Sequence, residues 1–273
     1  MPTEFAADKS HLGFRCEPSA HPESIRADAL VVFVTEGTIN GAATGIDRAT
    51  GALLSRLATA GEITGKRYEC VPILAPTGVA AGQIVVIGLG PAGRDGNTDL
   101  GTLYRAAATA TRHLSTRPRE TVVIVADPVW SSRHAEQAVA GAAMGMVGQD
   151  LYRTDKKRTR FKATIWAGVS PEALATGMVI ADGVNLARRL VNSPPNDLYP
   201  ETFAEAAAAV AGRTGMEIEI WDEHRLDRER CRAILAVGRG SSRAPRRWLP
   251  PPPRSRRCDS RSTSSRSAAW PRT

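Results

Sequence analysis

The stretch NLARRLVNSPPNDLYP, from Asn185 to Pro200, ends one helix and begins another. Helix-favouring residues run into Pro194 and Pro195, and proline has no N–H to donate, while the residue before a proline avoids helical backbone angles. Pro200 suits the first position of a new helix, and Gly212 or Gly215 suits its carboxyl cap. The stretch therefore predicts a junction between two helices.

The segments on either side of this junction extend the prediction. Upstream, Ser170 is a good helix N-cap, Pro171 fits the first helical position and Glu172 suits the positive end of the helix, which should run to about Val191. Downstream, MEIEIW alternates strictly and predicts a strand that begins at Met216. One face of that strand would carry the two glutamates, Glu217 and Glu219, and the other face Ile218 and Ile220.

The first part of the chain alternates short apolar runs with helical stretches. Four runs rich in Val and Ile, bounded by turn residues, predict buried strands: Ala29 to Thr35, Gln83 to Gly90, Thr121 to Asp127 and Phe161 to Gly168. Three helices are predicted between them: Asp47 to Ala60, Asp99 to Leu114 and Arg133 to Asp150. This alternation predicts an α/β fold, a sheet with helices on its faces.

Composition argues for a reduced, non-membrane protein. The longest nearly apolar run, Ala138 to Gly148, is too short to span a bilayer, and the first ten residues do not look like a secretory signal. The four cysteines are far apart and have no CxxC spacing, which favours free thiols over disulfides or a zinc site. They are Cys16, Cys70, Cys231 and Cys258.

The net charge of +8 belongs to the end of the chain. Residues 246–273 hold eight arginines and one aspartate, whereas the preceding 245 residues carry 28 basic and 27 acidic side chains. Residues 247–273 are rich in Arg, Pro and Ser, have little to bury and are predicted to be disordered. This tail could be a phosphate-binding arm, a proline-rich ligand, or a high-GC gene read out of frame, which is the interpretation we favour.

GLGPAG, Gly88 to Gly93, has the spelling of a dinucleotide-binding loop. That fingerprint also needs a helix that opens within the motif and an acidic residue about 20 positions later. Pro91 interrupts the turn, the next helix is predicted only near Asp99, and the region that follows reads ATATRHL. A turn that needs flexible residues explains the motif better than nucleotide binding.

The remaining polar residues do not form a catalytic motif. The histidines lack an HExxH or other ligand spacing and are expected to be solvated or structural: His11, His21, His113, His134 and His224. Thr154 to Lys162 is a basic run, typical of a solvated loop and a candidate for a phosphate contact. Glu217 and Glu219 could share a metal but are expected to face solvent. We therefore predict no catalytic, cofactor-binding or metal-ligating residue.

The junction resembles that of the leucyl aminopeptidase (cytosol aminopeptidase) family, in which a connecting helix ends in an Asn-[Ser/Thr]-Pro-Pro-Asn turn. The matching residues are Asn192, Ser193, Pro194, Pro195 and Asn196. Other segments resemble the family in the same order: Gly45 to Lys66, Ile84 to Gly93, Ala138 to Lys157 and Ala233 to Arg246. The last of these is similar to a strand and turn that usually read Val-Gly-x-Gly-Ser.

The resemblance implies a macro-like α/β domain, residues 1–168, followed by the first part of a peptidase domain, residues 169–246. It also implies a cytoplasmic metalloprotease that releases amino-terminal residues from peptides with two divalent ions, Mn or Zn. Members usually form hexamers, and some bacterial relatives bind DNA. The family motifs DTGG and NTDAEGR, which hold the metal ligands, do not occur here. We therefore expect a carboxy-terminally truncated chain that is inactive alone.

A non-catalytic alternative remains open. The amino-terminal domain could serve as a binding or oligomerisation module that contacts nucleic acid through its basic tail, although the near-neutral remainder makes nucleic acid an unexpected partner. No membrane partner is expected.

Overall fold

The computed structural model describes residues 13–17, 21–93, 98–148, 150 and 152–249. They fall into two compact units that divide between Ser193 and Pro194. We call residues 13–193 the amino-terminal unit and residues 194–249 the carboxy-terminal unit. The division does not coincide with the domain boundary predicted at residue 168. Helix α5 (Pro171–Asn192) follows that boundary and lies in the amino-terminal unit.

A six-stranded sheet forms the centre of the amino-terminal unit. Its spatial order is β1-β6-β5-β2-β4-β3, and only the edge strand β3 runs antiparallel to its neighbour. The strands are β1 (Phe14–Glu17), β2 (Ala29–Val34), β3 (Cys70–Leu74), β4 (Gln83–Gly88), β5 (Thr121–Val125) and β6 (Ala163–Ala167). The α/β prediction and its four strands are confirmed. β1 and β3 were not predicted, because both are short and only partly buried.

The central strands are buried on both faces, as their continuous apolar sequences require. Val31 lies opposite Val85 on one side and Ile124 on the other. Five helices cover the sheet: α1 (Ala42–Ala49), α2 (Leu53–Thr59), α3 (Leu100–Leu114), α4 (Ser132–Gly145) and α5. α1 and α2 pack on one face, and α3, α4 and the first turns of α5 pack on the other.

Two helix boundaries differ from the prediction. The helix expected from Asp47 to Ala60 is interrupted, because Gly51 and Ala52 take left-handed backbone angles, with φ of +66° and +60°. The helix expected to reach Asp150 ends at Gly145, where a glycine-containing segment follows. By contrast, the helix start predicted at Asp99 and the N-cap predicted at Ser170 are confirmed. Each of these side chains accepts a hydrogen bond from the third residue of its helix.

The first helix of the carboxy-terminal unit is the predicted one, α6 (Pro200–Thr214), and its carboxyl cap is Gly215 with φ of +70°. A short strand, β7 (Glu219–Trp221), replaces the longer one expected from Met216. It pairs antiparallel with β8 (Arg247–Leu249), and the remaining helices are α7 (Glu223–Arg228) and α8 (Arg232–Gly238).

Two expectations for this unit are wrong. The strand inferred within Ala233 to Arg246 is the helix α8, because Ala and Leu favour helix and a helix satisfies its backbone groups without a neighbouring strand. The disorder expected from residue 247 is wrong for Arg247 to Leu249, because Trp248 pairs with Ile220 across the β7–β8 ladder. Residues 250–273 lie outside the described part of the chain.

Candidate functional site

A cavity of about 550 Å³ opens at the carboxyl ends of the parallel strands. After β2 the chain forms β3 and β4, which lie on one side of β2 in the sheet. After β5 it forms β6, which lies on the opposite side, so the strand order reverses between β2 and β5. In doubly wound sheets, ligands bind outside such a switch point. The ends of β5 and β6 and the first turns of α1 line this cavity, which is therefore the candidate ligand site of the amino-terminal unit.

Asp127 holds the start of α1 against the end of β5. Its Oδ2 accepts a hydrogen bond from the backbone N–H of Ala42 at 3.4 Å, and its Oδ1 accepts one from Val129 at 3.1 Å. Gly41 precedes the helix with φ of +54°, and a Cβ there would lie 1.6 Å from Asp127 Oδ2. Glycine is therefore required at position 41 for both backbone angle and space.

The amino-terminal end of α1 does not offer free donors to an anion. The N–H of Ala42 is bonded to Asp127, that of Ala43 to the carbonyl of Asn40 at 3.1 Å, and that of Thr44 to the carbonyl of Gly41 at 3.2 Å. A carboxylate thus already occupies the position where phosphate-binding folds place their ligand. The cavity is better suited to a neutral group than to a phosphate.

Few polar side chains surround this cavity. His21 Nδ1 lies 3.0 Å from Glu23 Oε1 at the rim, and the His21 side chain is 76% exposed. Arg48 of α1 adds a cation. The pair lies at the exposed rim and lacks the buried setting of most catalytic groups.

The GLGPAG segment has a packing role. A Cβ on Gly88 would lie 2.0 Å from the carbonyl oxygen of Lys66, and one on Gly90 would lie 2.3 Å from Cγ of Arg67. Gly90 also has φ of +79°. These glycines allow the loop of residues 64–69 to cross the end of β4, and the next helix begins only at Leu100. The glycines are explained without a bound nucleotide.

The histidines lie apart and have individual surroundings. His134 belongs to the cap of α4, with Nδ1 2.7 Å from Ser131 Oγ and Nε2 3.0 Å from the carbonyl of Thr98. Burial, and then the nearby Arg119 and Arg117, lower the pKa of His113 and so favour its neutral form. His224 lies on α7, and His11 lies outside the described residues.

As far as the structure describes them, the cysteines and the two glutamates do not assemble a metal site. Cys16, Cys70 and Cys231 are free thiols, as predicted, and Cys258 lies outside the described part of the chain. Burial raises the pKa of Cys70 and, together with Glu172, that of Cys16, so both resist forming thiolates.

Glu217 precedes β7, whereas Glu219 lies in it and pairs with Arg225 at 3.7 Å. Among the described residues, no three His, Cys, Asp or Glu converge as metal ligands would.

The junction motif is built from two separate local structures. In the amino-terminal unit, α5 ends at Asn192, and Ser193 Oγ donates to the carbonyl of Arg189 at 2.9 Å. In the carboxy-terminal unit, Pro194 starts a turn whose carbonyl accepts the N–H groups of Asp197 and Leu198, both at 2.9 Å. Neither half brings two reactive side chains together.

Sequence reasoning missed Asp127 and the cavity beside it. The available signal was an aspartate directly after a buried strand, at the carboxyl edge of a parallel sheet. That signal shows where a ligand could sit, but only the fold shows that the carboxylate is already bound to α1.

Comparison with known proteins identifies relatives along most of the chain. Residues 31–156 match the amino-terminal domain of the cytosol aminopeptidase family, and residues 185–249 match its catalytic domain. A probable cytosol aminopeptidase of Rhodopirellula baltica is 32% identical over 205 residues, which cover 75% of this chain and 40% of the relative. One from Streptomyces griseus is 32% identical over 254 residues, which cover 84% and 48%. The chain thus spans less than half the length of these relatives.

Solved structures agree on the fold. The bottromycin maturation enzyme BotP is similar with a TM-score of 0.62 and 25% identity, over 81% of this chain and 45% of its own. A tomato leucine aminopeptidase mutant is similar with a TM-score of 0.66 at 18% identity, over 86% and 48%. No helix in the described part of the chain is both long and apolar enough to cross a membrane.

Proposed function

Because the chain belongs to the cytosol aminopeptidase family, we propose that it carries the amino-terminal domain and the first segment of the catalytic domain of an aminopeptidase. The whole enzyme would release amino-terminal residues, leucine among them, from peptides. The observation that carries this proposal is that both domains of one family match, in order, at residues 31–156 and 185–249. Residues 1–168 would form a macro-like domain, consistent with a mixed sheet covered by helices on both faces.

The metal-dependent chemistry of the family needs several converging ligands for its two divalent ions. The described residues do not fit that requirement, because they lack a convergent set of three His, Cys, Asp or Glu side chains. We therefore assign no residue of this chain to the Mn or Zn ions and derive no catalytic step through them. The proposal includes that the 273-residue chain does not hydrolyse peptides by itself.

A peptidase assay tests this proposal directly. The purified 273-residue chain is incubated with a leucine-based fluorogenic substrate in Mn²⁺, in Zn²⁺ and in chelator, with the Streptomyces griseus relative as the positive control. We expect turnover by the relative and none above the blank by this chain. Leucine release that depends on metal and follows the protein through purification would refute the proposed inactivity and locate a metal site in this chain.

Two further proposals concern the whole enzyme, which we place in the cytoplasm as a homo-oligomer. Support comes from the family relationship alone. Light scattering on a size-exclusion column would test whether this chain already associates, by giving a molar mass above the 29.2 kDa of one copy. A mass of one copy at all concentrations would show that residues 1–273 are insufficient for assembly.

A further inference from the structure

A second cavity, of about 490 Å³, lies beyond the carboxyl end of α4 in the amino-terminal unit. Five cationic side chains line it: Arg112, Arg153, Lys157, Arg158 and Arg188. Asp150 is the single acidic residue among the described residues of its lining. We call these six residues the basic pocket. They come from α3, from α5 and from the segment that follows α4, so the tertiary fold assembles the pocket.

Two of the five cations have structural partners. Arg188 donates to the carbonyls of Met144 and Val147, both at 3.2 Å, and to Asn185 Oδ1 at 3.0 Å. Arg158 donates to the carbonyl of Arg112 at 2.7 Å and to Ser115 Oγ at 3.2 Å. These bonds satisfy carbonyl groups left open where α4 and α3 end, and they hold two guanidinium groups in fixed positions at the wall of the cavity.

The other three cations lack such partners. Within the described residues, the side chains of Arg112, Arg153 and Lys157 have neither a hydrogen bond nor an ion pair. The Asp150 carboxylate accepts the backbone N–H of Lys157 at 2.9 Å, so part of its capacity is already used. One cavity is thus lined by three exposed cations and by the two guanidinium groups that hydrogen bonds hold in place.

Among the described residues of the lining, one carboxylate, that of Asp150, faces five cations. Burial, and then the charge of Arg112, lower the pKa of Arg158; Asp150 opposes the shift and Arg188 adds to it. Bringing several guanidinium groups together costs free energy unless an anion joins them. The wall is also without an aromatic side chain among its described residues, so it has no platform on which a base could stack.

We propose that the basic pocket binds a small polyphosphate group, a chain of two or three phosphates, alone or as part of a larger metabolite. Guanidinium groups bind phosphate oxygens through paired hydrogen bonds, and five cations match a ligand with several negative charges. The cavity volume lies within the range of small-molecule sites. The cations meet at one cavity instead of following a groove, which favours a compact anion over a nucleic acid.

Titration calorimetry on the full 273-residue chain tests the proposal, with sodium tripolyphosphate as the probe at physiological salt. The pocket variant is Arg112→Gln/Arg153→Gln, which removes two cations whose side chains make neither a hydrogen bond nor an ion pair to any described residue. The matched control is Arg56→Gln/Arg133→Gln, which removes the same charge from exposed positions on α2 and α4 outside the pocket. The control also corrects for binding to the arginine-rich tail, which both variants retain.

We expect one tripolyphosphate per chain, at least tenfold weaker binding by the pocket variant and a change of less than twofold in the control. ATP should bind within about threefold of tripolyphosphate, and AMP at least tenfold more weakly. Equal weakening in both variants, or equal affinity for AMP and ATP, would overturn the proposal. So would a DNA duplex that displaces tripolyphosphate and loses affinity in the pocket variant, because the surface would then be a nucleic-acid site.

Discussion

At the scale of single residues, glycines decide how closely the helices of the amino-terminal unit approach. A Cβ on Gly141 of α4 would lie 2.0 Å from the carbonyl oxygen of Tyr104 on α3. One on Gly177 of α5 would lie 2.6 Å from Cβ of Val139 on α4. The contact between α3 and α4 also includes a hydrogen bond from Thr111 Oγ1 to the carbonyl of Ala142 at 2.8 Å. Small residues therefore allow backbone-to-backbone packing of these helices.

The first prediction concerns Gly141→Ala. Alanine favours helix over glycine by about 1 kcal/mol, but the added methyl must push α3 and α4 apart, and overpacking costs roughly 1–3 kcal/mol. The difference is an expected net loss of up to about 2 kcal/mol in the free energy of unfolding, measured by urea titration.

Gly183→Ala on α5 is the matched control, because nothing lies within 4 Å of a Cβ at that position. It should stabilise the protein by up to about 1 kcal/mol. Equal effects of the two substitutions would contradict the close packing of α3 and α4.

At the scale of elements, caps fix where the helices start. Asp99 precedes α3, and its Oδ2 accepts the backbone N–H of Thr102 at 2.8 Å. That hydrogen bond, with smaller contributions from Arg105 and Arg67, lowers the pKa of Asp99. Since the folded state holds the ionised form, the cap stabilises the protein above the unfolded pKa of about 3.9 and is lost as the pH falls through the lower folded value.

The second prediction follows from the lowered pKa of Asp99. Asp99→Ala should cost about 1 kcal/mol near neutral pH, as N-cap replacements typically do. The difference from the parent chain should shrink as the pH is lowered from 5 to 3. Asp99→Asn, which caps without titrating, should differ from Asp99→Ala by the same amount throughout this range. Urea midpoints at several pH values give all three curves, and a parent-to-alanine difference that stays constant with pH would rule out the titrating cap.

At the scale of the whole molecule, the two compact units differ in how much structure each contains. The amino-terminal unit holds the six-stranded sheet and the three apolar clusters that the described residues form. Helix α5 is part of it, since Ala173 and Leu174 join the largest cluster and Ala181 packs with Ala140 and Ala143 of α4. The sequence resemblance, by contrast, placed the start of the peptidase domain at residue 169.

The third prediction compares two shortened chains. A chain of residues 1–193 should unfold cooperatively in urea, because its sheet and clusters are complete. A chain of residues 1–168 should be less stable by at least about 2 kcal/mol, because burying a leucine such as Leu174 contributes about 1.5–3 kcal/mol and α5 buries further residues. If the shorter chain were as stable as the longer one, α5 would not belong to the folding unit.

Local signals were sufficient for much of this fold. Continuous Val and Ile runs identified the four inner strands, because strands covered on both faces need apolar side chains at every position. Asp99, Ser170, Pro171 and Pro200 marked helix starts, because caps and prolines act within one turn. β1 and β3 were missed, because edge strands owe their structure to their neighbours. The break at Gly51 and Ala52 was missed, because left-handed angles at an alanine are not visible in an apolar pattern.

The sequence by itself determined the α/β class, the helix junction at Pro194 and the family relationship, because these rest on local backbone chemistry and on ordered motifs. Only the tertiary structure decided that Asp127 occupies the start of α1 and that α5 belongs to the sheet-containing unit. It also gathered Arg112, Arg158 and Arg188 around one cavity. Those features depend on residues far apart in the chain, whose proximity is set by packing and not by any pattern along the sequence.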